Sequence, residues 1–191
     1  QLRTVGGDEI VIRGANFGPA ENKDVSVYIG DAPCNEPAVV TDSEIHCVAP
    51  SGAGRDVKIT VRAGGQISEE TPIVRFLRPV VSTVIPKHAS PGDEITVKGS
   101  GFGAENTAPL VTLGGHPCTS TSWVNDTIVL CDVPQGVGTG RKISVAVAGQ
   151  VSEPLEIFDY DAPKIFEVEP NIVPTHGVVE VTVHGSNFGT A

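Results

Sequence analysis

The 191 residues carry 23 acids against 13 bases, a net charge of −10 at neutral pH, with hydrophobic residues at 39%. That balance argues against any surface built on clustered Lys and Arg. No basic run exceeds Arg141-Lys142, so neither nucleic acid nor an anionic membrane is an expected partner. No apolar stretch approaches the roughly 18–20 residues that span a bilayer, and 22 Gly and 15 Pro between short apolar runs describe an all-β chain with many turns.

In chain order, the first element is an alternating strand from Glu9 to Arg13 that runs into Gly14-Ala15-Asn16-Phe17-Gly18. Strands are predicted next at 25–29, 44–48, 57–62 and 73–77. Arg78-Pro79 then opens a second unit, in which Val80, Ser82 and Val84 alternate and Glu94-Ile95-Thr96-Val97-Lys98 leads into Gly99-Ser100-Gly101-Phe102-Gly103. Its further strands are predicted at 110–113, 127–132, 142–147 and 155–160. Ala162-Pro163 opens a third unit, which closes on Gly185-Ser186-Asn187-Phe188-Gly189.

These landmarks recur with a period of about 85 residues, and so do Cys34 and Cys118, Cys47 and Cys131, and Gln66-Ile67-Ser68-Glu69 and Gln150-Val151-Ser152-Glu153. A period of this kind marks a repeated structural unit. The glycine-rich corner suits a backbone at positive φ, which Gly tolerates best and Asn next. The Phe within it is predicted to plug one end of a sandwich core. About seven short strands per repeat, separated by Gly/Pro turns, is the immunoglobulin-like β-sandwich pattern. The expected division is residues 1–78, lacking an opening strand, then 79–161, and then the start of a third unit at 162–191.

Four features in fixed order carry a resemblance: the Pro-led opening strand, the alternating strand into Gly-x-Asn-Phe-Gly, Gly-x-x-x-Cys followed by Ile-x-Cys-x-x-Pro, and Val-x-Val-x-x-Gly-Gln-x-Ser. Together they resemble the IPT/TIG family over the whole chain. The resemblance implies early-set immunoglobulin-like sandwiches stacked end to end in ectodomains. Its intracellular branch, used for dimerisation and DNA contact in transcription factors, fits poorly with an acidic chain containing paired cysteines.

The cysteines form two equivalent pairs. The pairings expected are Cys34–Cys47 and Cys118–Cys131, each closing a loop worth about 3 kcal/mol in the chain-entropy model and implying an oxidising, extracellular compartment. The competing reading is a metal site with the neighbouring His46 and His116, although zinc sites favour tighter Cys spacing. Asn125-Asp126-Thr127 is the one Asn-x-Ser/Thr sequon. It is expected in a polar loop, either as a glycosylation site at Asn125 or as an unused turn residue.

No hydrolytic constellation is evident. None of the five His lies in a nucleophile elbow, and Gly136-Val137-Gly138-Thr139-Gly140 lacks the Lys-Ser/Thr ending of a phosphate loop and precedes a strand. No catalytic residue, metal or cofactor is therefore expected. Trp123, the single Trp, is either an exposed glycan-stacking platform or, as its counterpart Val39 suggests, a partly buried packing residue.

The end of the chain, to Gly189, reprises its beginning, to Gly18. Two arrangements would explain this: a window on a longer array, or identical chains joined head to tail. In the second, residues 163–170, with Pro163, Ile165 and Val168, would supply a neighbour's missing opening strand. The function expected is a non-catalytic extracellular module of a stiff rod, stalk or filament, with neighbouring IPT/TIG domains or identical chains as partners. The alternatives are a receptor or adhesin ectodomain that binds a protein or glycan, and an accessory domain of a secreted carbohydrate-active enzyme.

Overall fold

The structure, a computed structural model, describes residues 1–20, 22–69, 73–105 and 107–189. Strands dominate, and no helix occurs among the described residues. The first repeat contains β1 (Glu9–Arg13), β2 (Val25–Ile29), β3 (Ala32–Pro33), β4 (Asn35–Thr41), β5 (Glu44–Val48), β6 (Val57–Ala63), β7 (Gln66–Ile67) and β8 (Ile73–Val74). The second contains β9 (Val80–Ile85), β10 (His88–Ala89), β11 (Glu94–Ser100), β12 (Leu110–Leu113), β13 (His116–Pro117), β14 (Thr121–Asn125), β15 (Ile128–Asp132), β16 (Arg141–Val147), β17 (Gln150–Val151) and β18 (Leu155–Tyr160). β19 (Lys164–Glu169) and β20 (Thr182–Ser186) belong to the third.

Each of the first two repeats is a sandwich. In the first, the sheet β1-β5-β4 faces the sheet β3-β2-β6-β7, to which β8 adds by pairing with β6. In the second, β14-β15-β11-β9 faces β10-β18-β16-β12-β13, with β17 on β16. The strands form because their apolar residues recur at every second position, so one face of each can be buried. β2, Val-Ser-Val-Tyr-Ile, buries Val25, Val27 and Ile29 and leaves Ser26 and Tyr28 half-buried. The two cores are separate clusters: Val27, Ile45, Ile59 and Phe76 lie in the first, and Val84, Ile95, Val97, Leu113, Ile143 and Phe158 in the second.

β4 and β14 are strands that the sequence pattern did not announce. Both pair only with the strand that follows them, β5 or β15, and both pairings contain register shifts. β4 carries Pro37 within it, which an edge position tolerates because its N–H side faces solvent. β14 is Thr-Ser-Trp-Val-Asn with no fully buried residue, so it shows little alternation to read. As a result Asn125 closes a strand instead of lying in a loop.

The main difference between the first two repeats is the opening strand. β9 lies on the outer side of β11, with Val81 opposite Gly99 and Val84 opposite Val97, and Val84 is fully buried. β1 pairs with β5 alone. It also ends at Arg13, where β11 continues through Gly99 and Ser100.

The third repeat reproduces this opening unit. β19 pairs with β20 in the register of β9 with β11, including the shift one residue into the pair. Ile165 and Val168, considered above for an inter-chain strand, pair with Gly185 and Val183 of the same chain, and Pro163 is exposed just ahead of them.

Candidate functional site

The residues that recur most faithfully meet where one repeat joins the next, at the corner after the alternating strand. Gly99 is required there by close approach: a Cβ would overlap the Val80 carbonyl oxygen and stand 2.6 Å from the Phe102 ring. Gly101 has φ +76°, and Asn16 and Asn187 take the equivalent position at +63° and +61°. A left-handed residue here turns the chain so that the Phe re-enters the core, and Phe102 is completely buried. An aspartate from the neighbouring hairpin turn fixes the corner. Asp126 Oδ1 accepts the Gly103 N–H at 2.9 Å, and Asp42 Oδ1 accepts that of Gly18 at 3.0 Å.

Asp126 also reaches the preceding repeat. Thr4 Oγ1 donates to its Oδ1 at 2.6 Å, and Thr4 is 4% exposed. The turn carrying Thr4 is clamped by Asp8, whose carboxylate accepts the Arg3 backbone N–H at 2.5 Å and Arg3 Nε at 2.7 Å. The backbone bond from Arg3, followed by its guanidinium, holds the Asp8 pKa below the ordinary carboxylate value. Three further contacts cross this junction. Gln150 Nε2 donates to the Phe76 carbonyl oxygen at 3.2 Å, Arg78 Nη1 pairs with Glu153 Oε1 at 2.7 Å, and Ala53 packs against the second core.

The second junction is built along similar lines with different side chains. The turn is again clamped by an aspartate, with the Ser90 N–H donating to Asp93 Oδ2 at 2.8 Å. Ser90 Oγ lies 2.9 Å from Asp161 Oδ2 and 3.2 Å from Oδ1 of Asn187, which sits at the corner of the third repeat. Val137, the counterpart of Ala53, lies against Gly189: a Cβ there would be 2.8 Å from Val137 Cγ1.

Both expected disulfides are present, with Cα–Cα distances of 6.0 Å for Cys34–Cys47 and 5.6 Å for Cys118–Cys131. Cys34 and Cys118 lie where the chain leaves one sheet for the other, and Cys47 and Cys131 lie in β5 and β15. Each bridge therefore ties the two sheets together. The sulfurs are taken up by these bonds, and His46 is instead hydrogen-bonded to Glu44 at 2.8 Å. That bond is the main reason the Glu44 pKa lies below its usual value.

Asn125 is exposed, and its Oδ1 accepts both the N–H and the Oγ–H of Thr127, at 2.9 and 2.8 Å. Trp123 is half-buried against the second core and donates its indole N–H to the Gly103 carbonyl at 3.3 Å, which is the packing role. The Gly136–Gly140 segment is a loop. Arg141 Nε donates to the Val137 carbonyl at 2.8 Å, and the Tyr160 N–H donates to the Gly138 carbonyl at 2.9 Å. Beside it, Tyr160 Oη donates to the Pro134 carbonyl at 3.1 Å, and burial raises the pKa of this phenol.

Among the described residues no group of three or more His, Cys, Asp or Glu is placed to hold a metal ion. What the arrangement does is join repeats through hydroxyl, carboxylate and amide contacts. Sequence reasoning identified the corner but missed its partners, because Thr4 belongs to no motif, Asp126 is only the variable middle residue of the sequon, and the two are 122 positions apart.

Comparison with known proteins agrees with the fold. Human fibrocystin-L is 32% identical over 142 residues, covering 70% of this chain and 3% of its own length. Mouse fibrocystin-L is 27% identical over 135 residues, again 70% of this chain and 3% of its own length. The chain thus spans a small fraction of these relatives. The surface glycan-binding protein PbSGBP-B of Prevotella bryantii superposes with a TM-score of 0.51 at 16% identity, over 78% of this chain and 36% of that one, a likeness of fold. The profile of the IPT/TIG domain family matches residues 1–73 and 79–160. The chain belongs to that family and carries two of its domains in tandem.

Proposed function

We propose that this chain is a non-catalytic module of an extracellular IPT/TIG array, in which repeats join end to end at a fixed angle to make a stiff rod or stalk. One observation carries this reading: successive junctions are built in a similar way. In each, a hydroxyl from the aspartate-clamped turn of one repeat reaches the glycine-rich corner of the next, Thr4 through Asp126 and Ser90 through Asn187. A short linker and several contacts spread across the interface restrict bending. The two disulfides support an oxidising, extracellular setting.

The test is the relative orientation of the first two domains in solution, read from residual dipolar couplings. A single orientation is expected for the wild-type chain. In Thr4→Val combined with Gln150→Ala, the couplings of the two domains are expected to need separate alignment tensors while each domain keeps its fold. Independent tumbling of the wild-type domains would remove the rod from consideration. The glycan-binding alternative predicts saturable binding of soluble oligosaccharides, which calorimetry would detect.

A further inference from the structure

An open cleft of about 400 Å³ lies on the outer face of the second domain, and its lining includes Thr112, Gly115, Gly140, Arg141, Lys142 and Ser144. Alternation along β12 and β16 sends Val111, Leu113, Ile143 and Val145 into the core and turns Thr112, Lys142 and Ser144 outward. Thr112 and Ser144 stand opposite each other on adjacent strands, and Lys142 stands opposite Glu156 of β18. Among the described residues neither of these hydroxyls, nor the Lys142 ammonium, has a protein partner. Arg141 is held in place by the bonds of its Nε and Nη2 to the Val137 carbonyl oxygen.

The first domain has a different surface at the equivalent place. Tyr28, Asp31, Asp56 and Val57 stand there at the positions of Thr112, Gly115, Gly140 and Arg141, and the Arg62 guanidinium covers the Tyr28 ring at 5.4 Å. The second domain thus exchanges two carboxylates for bare glycine backbone, loses the ring and gains a cation. A Cβ on Gly115 would meet open space, so a ligand can approach the main chain there. Gly140 leaves room for Glu156, whose Oε1 lies 2.8 Å from where a Cβ would stand.

These groups define the ligand. Two adjacent cations, in a chain with a net charge of −10, call for an anionic group, and unpaired hydroxyls call for partners that donate and accept hydrogen bonds. The Glu156 carboxylate repels a simple inorganic anion but accepts hydroxyl protons. Among the described residues the lining holds no aromatic ring, so it lacks the apolar face on which neutral sugars stack. We infer that this cleft binds an acidic sugar unit, with Lys142 and Arg141 at its carboxylate or sulfate group and Thr112, Ser144 and Glu156 at its ring hydroxyls. The inference goes beyond the rod reading and does not rest on it. None of these residues takes part in the junction contacts, so either can fail while the other stands.

The test measures binding to the whole chain by calorimetry and by amide chemical shifts. The probes are tetragalacturonate, a heparin-derived tetrasaccharide, neutral cellotetraose, and sodium sulfate as the simple anion. At least one acidic tetrasaccharide should saturate and move the amides of Gly114, Gly115 and Lys142 while leaving those of Gly30, Asp31 and Lys58 in place. Which of the two binds tells whether the recognised acid is a carboxylate or a sulfate ester. Lys142→Gln should weaken binding by at least about tenfold, as loss of a charge-assisted hydrogen bond predicts. Lys58→Gln, at the equivalent position of the first domain, should leave it unchanged. Trp123 fluorescence in urea checks that Lys142→Gln keeps its fold. Failure of both acidic tetrasaccharides to saturate would overturn the inference, and so would equal binding of cellotetraose or of sulfate. Binding that survives Lys142→Gln undiminished would overturn it as well.

Discussion

Phe102 and Phe188 occupy the same motif position, yet one is completely buried and the other 53% exposed. Truncating a buried Phe removes its transfer free energy and leaves a cavity, so Phe102→Ala should cost about 3–5 kcal/mol. Phe188→Ala should change stability by less than about 0.5 kcal/mol. Trp123 is the single Trp and packs on the second core, so its fluorescence during urea unfolding reports on that domain: the midpoint should fall in Phe102→Ala and stay in place in Phe188→Ala.

Tyr160 allows a pH prediction. Burial raises its pKa above the ordinary phenol value, so the native state holds this proton more tightly than the unfolded chain does. The resulting stabilisation is fully present below about pH 10, where both states are protonated, and is lost as pH climbs from there through the raised native value. Tyr160→Phe should lower stability by about 1 kcal/mol at neutral pH, the worth of the bond to the Pro134 carbonyl. The gap between variant and wild type should then narrow above pH 10 in denaturant titrations.

At the scale of elements, the disulfides fasten one sheet of each sandwich to the other. Closing a loop of this length constrains the unfolded chain, and removing Cys118–Cys131 by a double substitution to Ala should cost the second domain about 3 kcal/mol. Under Trp123 fluorescence the midpoint should fall in that variant and stay in place when Cys34 and Cys47 are replaced instead. The β14–β15 turn makes a chemical prediction as well. Asn125 is exposed, and its Oδ1 is held by Thr127, which leaves Nδ2 without a partner among the described residues. Secreted from eukaryotic cells, the protein should lose mass on treatment with a peptide N-glycosidase, and Asn125→Gln should abolish that loss.

At the scale of the whole molecule, the junction matters because its parts come from elements that are remote in sequence. Thr4 and Asp126 are 122 positions apart, yet the bond between them links the clamped turn of one repeat to the corner of the next. Net acidity favours solubility, while the cations Arg3 and Arg78 are paired with carboxylates at a turn and at the linker.

The repeat, the all-β class, the corner motif and the cysteine pairs are legible in the amino-acid sequence because each depends on local requirements: period-2 burial, positive φ, or the need for two thiols in one unit. The edge strands β4 and β14 were not legible, since a strand paired on one side only needs no strict alternation and accepts Pro37. The partners at the junctions were not legible either. Thr4, Asp126 and Gln150 are ordinary polar residues until the sandwiches are assembled and set end to end, so their role is decided by distance in space, which no local pattern encodes.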